Sequence, residues 1–165
     1  MESHNLTHPP NSNHKFMYSP RLFMQDIEKL ITQLQSEHFD AILAVARGGL
    51  IPGSMLANRL KIPLIYSIQI KSYCDQAQTE ISICSEPHWA DLQNKRILVV
   101  DDLIDEGKTI DCLIKLLKSH QITQYRIAVL IDKQKTSLVT PDYYSRVVKS
   151  WIAFFWEADY RESGD

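Results

Sequence analysis

The sequence predicts an α/β fold in which a central, mostly parallel sheet is flanked by helices. Three observations carry that reading. Short runs that are apolar almost throughout, AILAVA at Ala41–Ala46 and RILVVDD at Arg96–Asp102, suit strands buried on both faces. Segments with apolar residues at helical spacing stand between them. The two kinds alternate along the chain, as βαβ units do.

Residues 1–18 open the chain with a polar stretch containing several Asn, Ser and Pro, expected to be a mobile tail. His4, His8 and His14 in that stretch are expected to be solvated rather than to share a metal. Ser19-Pro20 reads as an N-cap followed by proline at the first helical position, and Leu22, Phe23, Ile27, Leu30, Ile31 and Leu34 then recur at helical spacing to about Ser36. After the Ala41–Ala46 strand, Arg47-Gly48-Gly49 forms a turn, Ile51–Leu60 a helix and Pro63–Ile70 a second strand.

Lys71–Lys95 is polar apart from the island Ile81–Cys84, so a long flexible excursion with a small hairpin is expected there. The strand Arg96–Asp102 leads through a loop into a helix bearing Ile110, Leu113, Ile114 and Leu117. Strands at Arg126–Ile131 and Tyr143–Val148 follow. WIAFFWE, Trp151–Glu157, is too aromatic for a solvated tail, and residues 150–165 are expected to form a hood. Residues 19–165 are thus expected to make one domain, with no internal repeat.

At 165 residues, 44% of them hydrophobic, the chain can bury one core and host a pocket. A net charge of −2 gives no overall basic field, which argues against nucleic acid as a partner. Cys74, Cys84 and Cys112 have neither CxxC nor metal-ligand spacing and fit reduced thiols. No run has signal-peptide or membrane-spanning length, so a cytoplasmic location without an integral membrane segment is expected.

The stretch ILVVDDLIDEGKTI, Ile97–Ile110, carries the most chemistry. An apolar strand ends in two acids, and Asp105-Glu106-Gly107-Lys108-Thr109 then opens a helix. Backbone N–H groups at such a helix start, with Gly107 allowing close approach and the Thr109 hydroxyl as a donor, make a phosphate cradle. Acids at the carboxyl end of a parallel strand can accept hydrogen bonds from ribose hydroxyls or hold a hydrated magnesium ion. Gly107-Lys108-Thr109 invites a P-loop reading, but that motif needs a glycine where the chain has Asp102. A receiver domain would begin with this strand, whereas here it falls past the middle of the chain.

Ile97–Ile110 resembles the phosphoribosyl pyrophosphate (PRPP) signature of type I phosphoribosyltransferases, with Glu106 where that family usually has threonine. AVARGGLIPGSMLANRL, Ala44–Leu60, resembles the pyrophosphate loop and following helix of the xanthine-guanine members. In that loop a cis peptide is expected at Ala46–Arg47. Lys71-Ser72-Tyr73 is similar to the family's flexible loop, Lys133 stands where 6-oxopurine enzymes place a lysine on the purine O6, and Trp151-Ile152 resembles their base-stacking pair.

The resemblance implies the type I phosphoribosyltransferase fold with a small hood and a flexible loop. It implies transfer of the phosphoribosyl group of PRPP to guanine, xanthine or hypoxanthine, giving a nucleoside monophosphate and pyrophosphate in purine salvage. Arg47, Gly48, Asp101, Asp102, Asp105, Glu106, Gly107, Lys108 and Thr109 would bind PRPP. Asp105 would act as the catalytic acid–base group, and Lys133, Trp151 and Ile152 would take the base. Asp102 and Glu157 would hold Mg2+, and Ser72 and Tyr73 would belong to the loop that closes over the site. A homodimer or homotetramer is implied as well. A non-catalytic PRPP- or nucleotide-binding regulator on the same fold, or an enzyme for another base, is the alternative.

Overall fold

The computed structural model describes residues 15–75, 78–134 and 138–157. Six strands form the main sheet: β2 (Ala41–Ala46), β3 (Leu64–Asp75), β4 (Gln78–Ser85), β5 (Ile97–Ile104), β6 (Tyr125–Asp132) and β7 (Tyr143–Val147). Their order is β4-β3-β2-β5-β6-β7, parallel throughout except for the antiparallel β3–β4 hairpin. A separate two-stranded parallel sheet joins β1 (Phe16–Tyr18) to β8 (Ile152–Phe154).

Helices α1 (Pro20–Leu34) and α2 (Leu50–Leu60) cover one face of the main sheet and α3 (Lys108–Ser119) the other. The strand alternation divides the core accordingly: Ile42 and Ala44 of β2 face α1 and α2, while Leu43 and Val45 face α3. This double coverage explains why β2, β5 and β6 read as unbroken apolar runs. The α1 cap forms as its sequence suggests, with Leu22 N–H donating to Ser19 Oγ at 3.3 Å and Pro20 starting the helix.

Two expectations need correction. Phe16–Tyr18, assigned to the mobile tail, form β1, and Tyr18 is buried. Three residues are too few to show a period, and their partner strand lies more than a hundred positions away. The strand expected to stop at Ile70 instead runs to Asp75, and β4 pairs with it from Gln69 onward. The hairpin extends past the covered part of the sheet, where backbone pairing needs no apolar run. Residues 1–14 and 158–165, which include His4, His8 and His14, lie outside the described residues. Among the described residues no helix is long and apolar enough to cross a membrane, and Cys84 and Cys112 are free thiols.

Candidate functional site

Parallel strands all point the same way, so the loops leaving β2, β5 and β6 gather at one edge of the sheet. After β2 the Ala46–Arg47 peptide is cis, and the chain enters α2 through Gly49 N–H to Val45 O at 2.8 Å and Leu50 N–H to Arg47 O at 3.1 Å. Both glycines are required by space. A Cβ on Gly48 would overlap the Asp102 carboxylate, and one on Gly49 would run into the backbone of Val100 and Val45. The Arg47-Gly48 turn therefore lies directly on the second acid of β5, with Arg47 exposed beside it.

Asp101 and Asp102 lie within β5 rather than at its end. Asp102 N–H donates to Asp101 Oδ1 at 2.8 Å, and Leu103 N–H donates to Asp102 Oδ1 at 2.7 Å. Burial and then the neighbouring Asp102 charge hold the Asp101 carboxyl well above the usual carboxylate range. Burial also pushes Asp102 up to about 6, and the negative charge of Glu157, which lies within electrostatic reach, adds to it. Among the described residues no group of three or more side chains is arranged to hold a metal by itself. The paired acids of β5 could instead lend one or two oxygens to a hard, hydrated divalent cation whose remaining ligands would come from water and phosphate oxygens.

Past Ile104 the chain turns through Asp105–Gly107 into α3. Gly107 takes the left-handed conformation at φ 79°, and no side chain caps the helix. Residues 101 and 103–110 line a pocket of about 230 Å³, so Asp105, Glu106, Gly107, Lys108 and Thr109 all border one space. The Glu106 carboxylate lies 2.6 Å from Lys108 Nζ, both partly exposed, so the acid is tied to the lysine of its own loop. A larger pocket of about 370 Å³, bordered by Phe39, Arg96 and Arg126, lies at the opposite edge. Its two guanidinium groups are already paired with Glu37 and Asp142, and it is remote from the acids of β5.

The third part follows β6. Lys133 is 6% exposed, its N–H donates to Ile104 O at 3.0 Å, and its Nζ lies 3.8 Å from Asp105 Oδ2 and 6.0 Å from the centroid of the Trp151 ring. Asp132, which sequence reasoning did not single out, accepts the Gln134 N–H at 2.9 Å and so closes the turn that presents Lys133. Its signal was its place: an acid at the end of an apolar strand, next to a lysine. Ile152 is buried, while Trp151 is 69% exposed. The fold thus brings Arg47, Gly48, Asp101, Asp102, the Asp105–Thr109 turn, Lys133, Trp151 and Glu157 toward one edge of the sheet. Ser72 and Tyr73, expected in a flexible loop, are strand residues opposite Ile81 and Glu80, and their side chains lie outside the described residues.

The family model of the phosphoribosyl transferase domain matches residues 17–163. The xanthine-guanine phosphoribosyltransferase of Chromohalobacter salexigens is 31% identical over 135 residues, covering 81% of this chain and 78% of that protein. Among solved structures, the purine phosphoribosyltransferase of Pyrococcus horikoshii superposes with a TM-score of 0.81 at 33% identity, covering 88% of this chain and 95% of that one. The xanthine-guanine-hypoxanthine phosphoribosyltransferase of Helicobacter pylori gives 0.79 at 27% identity, with coverage of 90% and 97%.

Proposed function

The chain belongs to the phosphoribosyl transferase domain family, and on that footing we propose that it transfers the 5-phosphoribosyl group of PRPP to guanine, xanthine or hypoxanthine. The products are the nucleoside monophosphate and pyrophosphate. One observation carries the choice of base: a buried lysine, Lys133, sits between Asp105 and the exposed face of Trp151. Lysine only donates, so at that position it favours a carbonyl at purine C6 and disfavours the amino group of adenine.

In this reading the 5′-phosphate lies against the backbone N–H groups of Asp105–Thr109, the ribose hydroxyls donate to Asp101 and Asp102, and pyrophosphate lies on Arg47 and Gly48. The family uses PRPP with magnesium, and here Asp102 and Glu157 would hold Mg2+, which would supply positive charge against the pyrophosphate. The purine stacks on Trp151 with its O6 on Lys133 and an edge read by the main chain of Ile152. Purine N9 then bonds to C1′ as the C1′–O bond breaks, and Asp105 takes the proton the purine loses. Most of the acceleration comes from holding the two reactants in line beside fixed charges. The Ser72–Tyr73 hairpin is the segment we assign to excluding water.

The decisive test incubates the protein with PRPP, Mg2+ and a panel of bases and follows pyrophosphate. Release with guanine, hypoxanthine or xanthine, and none with adenine or uracil, is expected. Saturable PRPP binding without base-dependent release would instead identify a regulator. We also assign the protein to the cytoplasm and to a homodimer or homotetramer. The exposed apolar residues Leu64, Ile65, Ile81 and Ile83 support assembly, and light scattering would measure it.

A further inference from the structure

The reaction leaves the small β1–β8 sheet without a stated task. Trp151 immediately precedes β8 and Ile152 begins it. With 69% of its surface exposed, Trp151 gains little placement from side-chain packing, so its main chain has to position the ring. That main chain is held by β1. Phe16 N–H donates to Trp151 O at 2.7 Å, and Phe16, Met17 and Tyr18 lie opposite Ile152, Ala153 and Phe154.

β1 is itself fixed through Tyr18. Its ring meets Phe154 and Trp156 edge-on, with centroids 5.1 and 6.0 Å apart. Its hydroxyl donates to Asp26 Oδ2 at 3.0 Å. Asp26 is a fully buried acid of α1, and Arg146 of β7 forks onto it, with Nε to Oδ2 and Nη2 to Oδ1 both at 2.9 Å. Lys29 Nζ to Oδ1 at 3.2 Å and Ser145 Oγ to the Asp26 carbonyl at 3.0 Å complete the knot. Packing alone would hold an aromatic ring loosely along the strand. A hydroxyl donating to a buried, clamped carboxylate fixes position as well as contact.

We propose that Tyr18, acting through Asp26 and Arg146, is a positioning residue for base recognition: it sets where Trp151 and Ile152 stand relative to Lys133 without touching the base. The N-terminal strand is then half of the base subsite. This inference rests on the reading of Trp151, Ile152 and Lys133 as that subsite.

Tyr18→Phe keeps the ring and removes only the hydroxyl. Calorimetric titration with guanosine 5′-monophosphate and with ribose 5-phosphate isolates the base contribution as the ratio of the two dissociation constants. Steady-state assays add KM for base and for PRPP, and thermal melts check that the variant is folded. The base-dependent ratio and the base KM should each worsen about 3- to 10-fold, only part of the roughly 10- to 100-fold that a hydrogen bond to a charged group can be worth, because Tyr18 reaches the base only through the strand. Ribose 5-phosphate affinity should stay within about twofold, since the phosphate and ribose contacts are built on the main sheet, and the PRPP KM should move less than the base KM, because in that half only Glu157 lies beyond the main sheet and its loops. Equal changes in both halves, or none in the base half, would overturn the proposal and leave Tyr18 a fold residue only. If the unaltered protein bound the nucleotide no better than ribose 5-phosphate, the assignment of the subsite would fall first and the proposal with it.

Discussion

Asp102→Asn should stabilise the ligand-free protein at neutral pH while removing a group that the proposed function assigns to ribose and Mg2+. The carboxyl is pushed up from 3.8 to about 6, mainly by burial. Between those two pH values the folded chain binds a proton that the unfolded chain has released. The contribution of this group to stability is therefore largest below 3.8, falls as pH rises toward 6, and is flat above that. At about 1.4 kcal/mol per pH unit of displacement, the full penalty is about 3 kcal/mol at pH 8 and about 1 kcal/mol at pH 4.5. Asparagine carries no charge to bury and keeps an oxygen for the Leu103 N–H now held at 2.7 Å. The advantage of the variant over the unaltered protein should thus grow by about 2 kcal/mol between pH 4.5 and 8. For a domain of this size that is roughly 4–8 °C in Tm. Thermal melts at several pH values, without Mg2+ or phosphate, would measure it. An advantage that does not change with pH, or a variant less stable at pH 8, would refute burial of charge as the cause.

Three other outcomes follow from the geometry. Glu106→Gln removes the carboxylate now paired with Lys108 at 2.6 Å in the proposed phosphate loop, so KM for PRPP should fall a few-fold and become less sensitive to added salt, read by initial rates in low and high KCl. Gly48→Ala would press a methyl group into the Asp102 carboxylate, and the resulting shift of the loop should lower kcat/KM on the order of 100-fold while the melting temperature changes little. Arg146→Met leaves the buried Asp26 without its fork, and urea denaturation should show a loss of about 3 kcal/mol, at the low end for a broken buried pair because Lys29 and Tyr18 still reach the carboxylate.

What could be read from the sequence depended on how far each residue's partners lie along the chain and on how many faces its element buries. Ala41–Ala46 and the apolar start of β5 were legible because helices cover both faces there, so every position is apolar. The extension of β3 to Asp75 was not, since a hairpin past the edge of the core is held by backbone pairing that side chains do not announce. The spatial need for Gly48 was hidden too, because the carboxylate its Cβ would strike belongs to a strand more than fifty positions later. The Asp26–Arg146 fork joins residues 120 apart, and neither residue stands in a recognisable motif. Glu106 shows the opposite limit: its position was plain, but whether its carboxylate faces the phosphate space or the lysine beside it is set by side-chain geometry.

The two halves of the site differ in the same way. Phosphate and ribose recognition needs a strand end, a glycine turn and a helix start in immediate succession, and β5, Asp105–Gly107 and α3 supply them within a single stretch of chain. That half had to be contiguous in sequence. Base recognition needs a flat aromatic surface and main-chain groups free of sheet pairing on one side, which an edge segment such as Trp151–Ile152 can offer only if something holds its other side. β1 does so from the far end of the chain. On the proposed assignment, changes in residues 16–18 would therefore move the base subsite while the proposed phosphate cradle, which shares no strand with them, stays where it is. On the proposed assignment of the site, a fold built this way would alter which base it accepts with little effect on the phosphate and ribose contacts made by β5 and the start of α3.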